Sequence, residues 1–294
     1  QAAVAQEAQA VVGVVIAAHG APMDEWNKIP KQFADDVNRQ IQAQGLNMVA
    51  RIGFLEFTTP SIADAVADLR GQGIERIVVV PLFVTVSEHT ILDLPCVLGL
   101  MYHPETMETL AEEGAELVPP GTPLIVGPPL CCSGLFPKIM LERAQELSED
   151  PANESVLVFA HGAPNFAPIW SKHMEGITKK LLEEGGFKAA NYAFVGVGHG
   201  AGAAGLAAIS EAAAKADRTI VLGLYVGMGA DLLVKMFHGG GGHGAGAPPA
   251  ATAPTGAHPN PVASGQGLLP HPDITEWVIR VATDAARLYD TPAE

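Results

Sequence analysis

Ala18-His19-Gly20-Ala21-Pro22 returns letter for letter as Ala160-His161-Gly162-Ala163-Pro164, and each copy follows an apolar run, residues 11–18 and 155–159. The two histidines stand 142 positions apart. The likeness continues downstream, where Arg51-Ile52-Gly53-Phe54-Leu55-Glu56 is echoed by Phe194-Val195-Gly196-Val197-Gly198-His199 at a spacing of 143. One structural unit has been duplicated. A continuous run rich in β-branched residues suits a strand buried on both faces, so each pentapeptide marks the carboxyl end of a parallel strand.

Working outward from the first copy, residues 29–44 read as an amphipathic helix, with Phe33, Val37 and Ile41 on one stripe. Residues 48–55 form a second strand, 61–71 a helix opened by Ser61 and stopped by Gly71 and Gly73, and 76–86 a Val-rich third strand. Helices at 105–116 and 137–147 flank a short strand at 124–126. After a polar linker at 148–154 the order repeats: strand 155–159, helix 170–184, strand 192–197, helix 205–216, strand 218–226, and a closing helix 273–289. Alternating strands and helices predict an α/β fold of two doubly wound parallel-sheet units, 11–147 and 155–294, after a tail at 1–10. Residues 237–268, rich in Gly and Pro and carrying His238, His243 and His258, lack hydrophobic periodicity and read as a long flexible insertion in the second unit.

Composition narrows the function. A chain of 294 residues with 17 Lys and Arg against 32 Asp and Glu, net charge −15, is no nucleic-acid binder, because phosphate neutralisation needs clustered cations. It suits a protein that meets cations. No apolar stretch approaches the ~20 residues that span a bilayer. Cys96, Cys131 and Cys132 build no disulfide framework and read as small core residues. The opening Gln1 and Ala/Gln-rich segment read as what remains after signal-peptide cleavage, so export to the periplasm is expected, with the cytoplasm as the alternative.

In open parallel sheets ligands bind beyond the carboxyl ends of the strands. His19 ends the first strand, Glu56 the second, and His89 follows the third; His161 and His199 take the first two of these places in the second unit. A lone histidine after a strand is more often structural than catalytic, but two imidazoles and a carboxylate at successive ends can bind a borderline divalent metal and accept protons near neutral pH. Where His89 should recur, the second unit has Gly227-Met228-Gly229-Ala230-Asp231, which makes the first unit the candidate active half and His161 and His199 second-rank. Gly196 to Gly205 misses the spacing of a dinucleotide fingerprint, and Cys131-Cys132 has no evident base.

Val15-Ile16-Ala17-Ala18-His19-Gly20, the stretch from Gly53 to Ser61 (GFLEFTTPS), Ile77 to Val84 (IVVVPLFV) and Glu88 to Pro95 (EHTILDLP) resemble, in order, the class II tetrapyrrole chelatases, that is, the sirohydrochlorin cobaltochelatases with their ferrochelatase and nickel-chelatase relatives. The resemblance implies ATP-independent insertion of Co²⁺, Ni²⁺ or Fe²⁺ into sirohydrochlorin or a related tetrapyrrole held in a cleft between two similar units. The divalent metal is then a substrate, and no obligatory cofactor is implied. His19 would bind the metal and help remove pyrrole protons, His89 would be its partner, and Glu56 the supporting carboxylate or proton acceptor. Lys28, Lys31 and Arg51 would offset the repulsion between an acidic chain and a carboxylate-rich substrate. The alternative is a carrier or assembly protein that keeps the fold and binds tetrapyrrole or metal without turnover. A homo-oligomer is compatible with either reading.

Overall fold

A computed structural model describes residues 10–195, 201–239 and 261–290. The chain runs β1 (Val12–Ala18), α1 (Asp24–Ala43), β2 (Met48–Phe54), α2 (Ile62–Gly71), β3 (Arg76–Pro81), α3 (Leu94–Val97), α4 (Pro104–Glu112), β4 (Ile125–Val126) and α5 (Phe136–Leu147). It continues as β5 (Glu154–Ala160), α6 (Ala167–Glu183), β6 (Ala189–Phe194), α7 (Ala201–Ala213), β7 (Arg218–Gly223), α8 (Ala230–Gly239), β8 (Val262–Ala263) and α9 (Pro272–Ala286). The strands form two four-stranded parallel sheets of identical order, β2-β1-β3-β4 and β6-β5-β7-β8. The expected duplicated α/β architecture is what the chain adopts.

In the first unit β1 is buried along its whole length, as a central strand with neighbours on both sides must be. Successive side chains point to opposite faces. Val15 and Ala17 join a core with Ile62, Val66 and Leu69 of α2, Leu94 and Val97 of α3, and Leu110 of α4. The helices α1 and α9 pack on each other, α1 also meeting β2 and α9 meeting β3. Ser61 caps α2 through a reciprocal box with Asp64, its hydroxyl accepting the Asp64 amide while the Asp64 carboxylate accepts the Ser61 amide.

Several boundaries depart from the sequence expectation. α1 begins at Asp24, a turn and more before residue 29, with Pro30 inside it. Asp24 and Glu25 favour its positive end, and Asn27, buried, donates its side-chain amide to the Ala21 carbonyl at 2.7 Å, which anchors the extra turn. β3 stops at Pro81 rather than running to residue 86. Cys96 and Cys131 are buried, but Cys132 is exposed, against its placement in the core.

Packing divides the chain differently from the repeat. One compact unit comprises the residues up to Phe83, Glu88–Ser133 and those from Pro272 onward; the other holds Val84–Ser87 and Gly134–His271. Each repeat therefore gives its last helix, α5 or α9, to the other compact unit. Of the expected linker at 148–154, Glu154 is in fact the first residue of β5 and only 2% exposed. Its carboxylate accepts from the Ser148 hydroxyl, the Glu149 amide and the Arg218 guanidinium, while Arg218 also donates to the Leu147 carbonyl.

Burial alone would raise the Glu154 pKa, but those donors outweigh it and hold the pKa below the ordinary carboxylate value. Its stabilisation is therefore present above the unfolded-state pKa and is lost as pH falls through the lower folded-state value. Glu154→Gln is expected to cost about 2 kcal/mol at pH 7, since it removes the buried anion and leaves Arg218 with only the exposed Glu149 carboxylate. In urea denaturation across pH, the gap between wild type and variant should close in acid; a gap constant from pH 7 to 3 would refute the assignment.

The ends of the expected insertion, 237–268, are ordered structure. Phe237 lies in α8, its ring against Gly205 of α7 and edge-on to Phe159 at 5.6 Å, while Val262 and Ala263 pair with β7 and Leu268 is fully buried. Residues 240–260, with His243 and His258, lie outside the described residues, as do the tail at 1–9 and His199. No described helix is long and apolar enough to cross a membrane.

Candidate active site

Two adjacent strand ends and a turn beyond a third strand build the site. β1 and β2 run in register with Ala18 opposite Phe54, and the ladder continues beyond both strands: Leu55 donates to the Ala18 carbonyl at 2.9 Å and Glu56 to the His19 carbonyl at 3.0 Å. This fixes His19 beside Glu56. Between them the chain turns at Gly20, where φ is +91° and a Cβ would stand 2.1 Å from the Glu56 carbonyl oxygen. Only glycine fits. The third residue, His89, opens a π-helical turn, His89–Asp93, a distortion often found at functional sites.

The side chains converge. His19 Nε2 and His89 Nε2 are 3.1 Å apart, and Glu56 Oε1 lies 3.9 Å from His19 Nε2 and 3.6 Å from His89 Nδ1. His19, Glu56 and His89 together form a ligand group whose atoms all fall within 4.8 Å of one another. The outer ring nitrogens have fixed partners: His19 Nδ1 donates to the Gly20 carbonyl at 2.8 Å and His89 Nδ1 to the Asp93 carboxylate at 2.7 Å. Because a carbonyl and a carboxylate only accept, both Nδ1 atoms carry the proton and both Nε2 lone pairs face inward. Two lone pairs at this separation repel unless a proton or cation lies between them. A metal about 2.1 Å from each nitrogen would see them at an angle of about 95°, within the range of ordinary coordination.

Electrostatics favour the same use. Burial opposes a charge on His89, but its hydrogen bond to Asp93 and the charges of Glu56, Asp93 and Glu88 outweigh it, and its pKa rises above the ordinary imidazole value. Burial also raises the pKa of Glu56, whose side chain is 7% exposed; Glu113 and Asp93 add to the rise and His89 opposes it. Glu56 thus binds a proton more readily than a surface carboxylate does.

Comparison with known proteins gives this arrangement its context. The sequence pattern of the CbiX family matches residues 13–147, which contain all three converging side chains. Sirohydrochlorin cobaltochelatase from Methanococcoides burtonii is 30% identical over 137 residues, 46% of this chain and 96% of that protein. The enzyme of the same name from Saccharolobus islandicus is 26% identical over 136 residues, again 46% of this chain and 95% of that one. The chain belongs to the CbiX family of class II tetrapyrrole chelatases. This chelatase carries the fold through both repeats: the sirohydrochlorin chelatase SirB from Bacillus subtilis subspecies spizizenii, solved with cobalt, superposes with a TM-score of 0.58 at 18% identity, covering 94% of this chain and 96% of that one. SirB from Bacillus subtilis with Fe³⁺ gives 0.59 over 95% and 97%.

The remaining expected site residues of the chelatase fare differently. His161 is exposed, its Nδ1 on the Gly162 carbonyl at 2.7 Å, and it joins no metal-binding group among the described residues. Its turn glycine, Gly162, makes room for the Phe194 ring rather than for a glutamate. Asp231 stands eight residues beyond β7, as His89 does beyond β3, and pairs with Lys235 four residues on, as His89 pairs with Asp93. An Asp–Lys ion pair stands where the first repeat has a His–Asp pair. Lys28 is paired with Glu25, and Arg51 with Asp68 and the Ala50 carbonyl, at solvent-accessible positions. Lys31 lies 5.6 Å from the centre of the Phe54 ring at the end of β2. Burial pushes the Cys131 thiol up to about 12, with the neighbouring Cys132 adding to the rise, which leaves no activated thiolate there. Asp93, which anchors the His89 ring, is a neighbour of the site that sequence reasoning missed; its spacing of four from His89 inside the EHTILD stretch was the available signal.

Proposed function

We propose that this chelatase inserts Co²⁺ into sirohydrochlorin, with no ATP. The observation that carries the reading is the convergence of His19, Glu56 and His89 with both Nε2 lone pairs directed inward. Insertion exchanges two pyrrole N–H protons for one divalent cation, so a working site needs a cation held by few ligands and a base beside it. Imidazole nitrogens bind first-row divalent cations such as Co²⁺, Ni²⁺ and Fe²⁺, and a set of two imidazoles and one carboxylate leaves coordination positions for the pyrrole nitrogens. Glu56, with its raised pKa, accepts the first proton released, and an imidazole Nε2 freed as the cation passes to the macrocycle accepts the second. Asp93 holds the His89 ring in the tautomer that can ligate, in the manner of carboxylates behind metal-binding histidines.

The cobaltochelatases similar to the active unit support cobalt, and the fold's occurrence with both cobalt and Fe³⁺ keeps iron as the competing metal. The test is an insertion assay with Co²⁺, Ni²⁺ and Fe²⁺ against sirohydrochlorin and protoporphyrin, followed by absorbance. Co²⁺ with sirohydrochlorin should give the largest kcat/KM. Faster insertion of Fe²⁺ or Ni²⁺ would change the metal, and binding without turnover for every pair would make the protein a carrier.

A further inference from the structure

Among the described residues Phe57 is the non-glycine position with a positive φ, +64°. The Thr58 amide donates to the Glu56 carbonyl at 2.8 Å, which closes a three-residue turn centred on Phe57. A turn of that sense is rare and strained, and a bulky side chain is among its poorest occupants. Burial does not compensate: the residue is 56% exposed. Glycine would relieve the strain, so the fold does not select phenylalanine here. Strain persisting at an exposed aromatic calls for a role in function.

Its surroundings indicate which. Phe57 directly follows Glu56, and its ring centroid lies 5.9 Å from that of His19, at 43°. An exposed aromatic face therefore stands beside the metal-binding group. A carboxylate-fringed tetrapyrrole offers this acidic chain an unfavourable periphery and one favourable surface, the apolar face of the macrocycle. Lys28 and Arg51 are already paired, so contact with that face is a route to affinity that needs no charge.

We infer that Phe57 is a substrate-binding residue whose ring takes one face of the tetrapyrrole and sets the macrocycle against the cation held by His19, Glu56 and His89. The inference rests on the proposed function. The turn fixes the ring's height relative to Glu56, so the same short segment supplies the base and the platform.

The test compares Phe57→Gly and Phe57→Tyr with wild type in three measurements: KM for sirohydrochlorin, KM for Co²⁺, and thermal denaturation. Phe57→Gly should raise the sirohydrochlorin KM about tenfold, with the Co²⁺ KM unchanged and melting no lower than wild type; Phe57→Tyr should retain the wild-type KM. A sirohydrochlorin KM unchanged in Phe57→Gly, in a wild type that turns over, overturns the inference alone. So does a lower melting temperature with both KM values raised, which would make the ring a structural prop. A wild type that neither binds nor metallates any tetrapyrrole overturns the proposed function and this inference together.

Discussion

His19→Ala is expected to lower the rate of metal insertion by roughly 10³-fold, while His161→Ala, the same change in the same pentapeptide, changes it by less than about twofold. The contrast follows from what surrounds each ring. His19 faces His89 Nε2 at 3.1 Å and Glu56 at 3.9 Å, whereas His161 belongs to no such group among the described residues. His89→Ala should match His19→Ala, and the double variant should be scarcely slower than either single one, because one missing ligand already disables a group that acts as a unit. Both single variants should remain folded, because each side chain is partly exposed and neither belongs to the buried core. Insertion rates with Co²⁺ and sirohydrochlorin, with denaturation midpoints measured alongside, decide the matter. Comparable losses in His19→Ala and His161→Ala would move the chemistry away from the first unit's strand ends.

The same comparison shows why the site was legible in the sequence and where legibility stopped. Residues 11–18 announce a buried parallel strand because a central strand must be apolar on both faces, and the end of such a strand is where parallel sheets place their ligands. His19, Glu56 and His89 followed from that rule and from the family resemblance together. Phe57 could not follow from it, since its importance lies in a backbone angle and an exposure that no residue pattern displays. The pairing of Lys28 and Arg51 was hidden for a related reason: a sequence shows that a cation is present but not that Glu25 or Asp68 stands beside it. The exchange of α5 and α9 between compact units was equally hidden, because internal repeats record descent while packing records which apolar face is buried where. The low-complexity stretch misled at its edges, where Phe237, Val262 and Leu268 pack or pair despite their Gly- and Pro-rich neighbours.

Gly20→Ala should be the most damaging change at the site that touches no functional group. Alanine pays for φ of +91°, and its Cβ would stand 2.1 Å from the Glu56 carbonyl oxygen, a backbone atom that cannot swing aside. Relief requires the ends of β1 and β2 to part, which breaks the 3.0 Å bond from the Glu56 amide to the His19 carbonyl. The expected cost is about 3 kcal/mol of stability, from the left-handed conformation and the overpacking together. Insertion should fall roughly 10²-fold in the folded fraction, because a displacement on the order of 1 Å between cation and base is enough. Two other glycines calibrate the result. Gly71→Ala, with ordinary φ and nothing near its Cβ, should be neutral or slightly stabilising. Gly162→Ala shares the left-handed φ, +76°, but meets the Phe194 ring at 2.9 Å, a side chain that can shift; it should cost less stability and leave insertion intact. Urea denaturation and single-turnover insertion on the three variants separate backbone strain from catalytic geometry. If Gly20→Ala and Gly162→Ala proved equally active, the close approach of Gly20 to Glu56 would be a requirement of the turn and not of the chemistry.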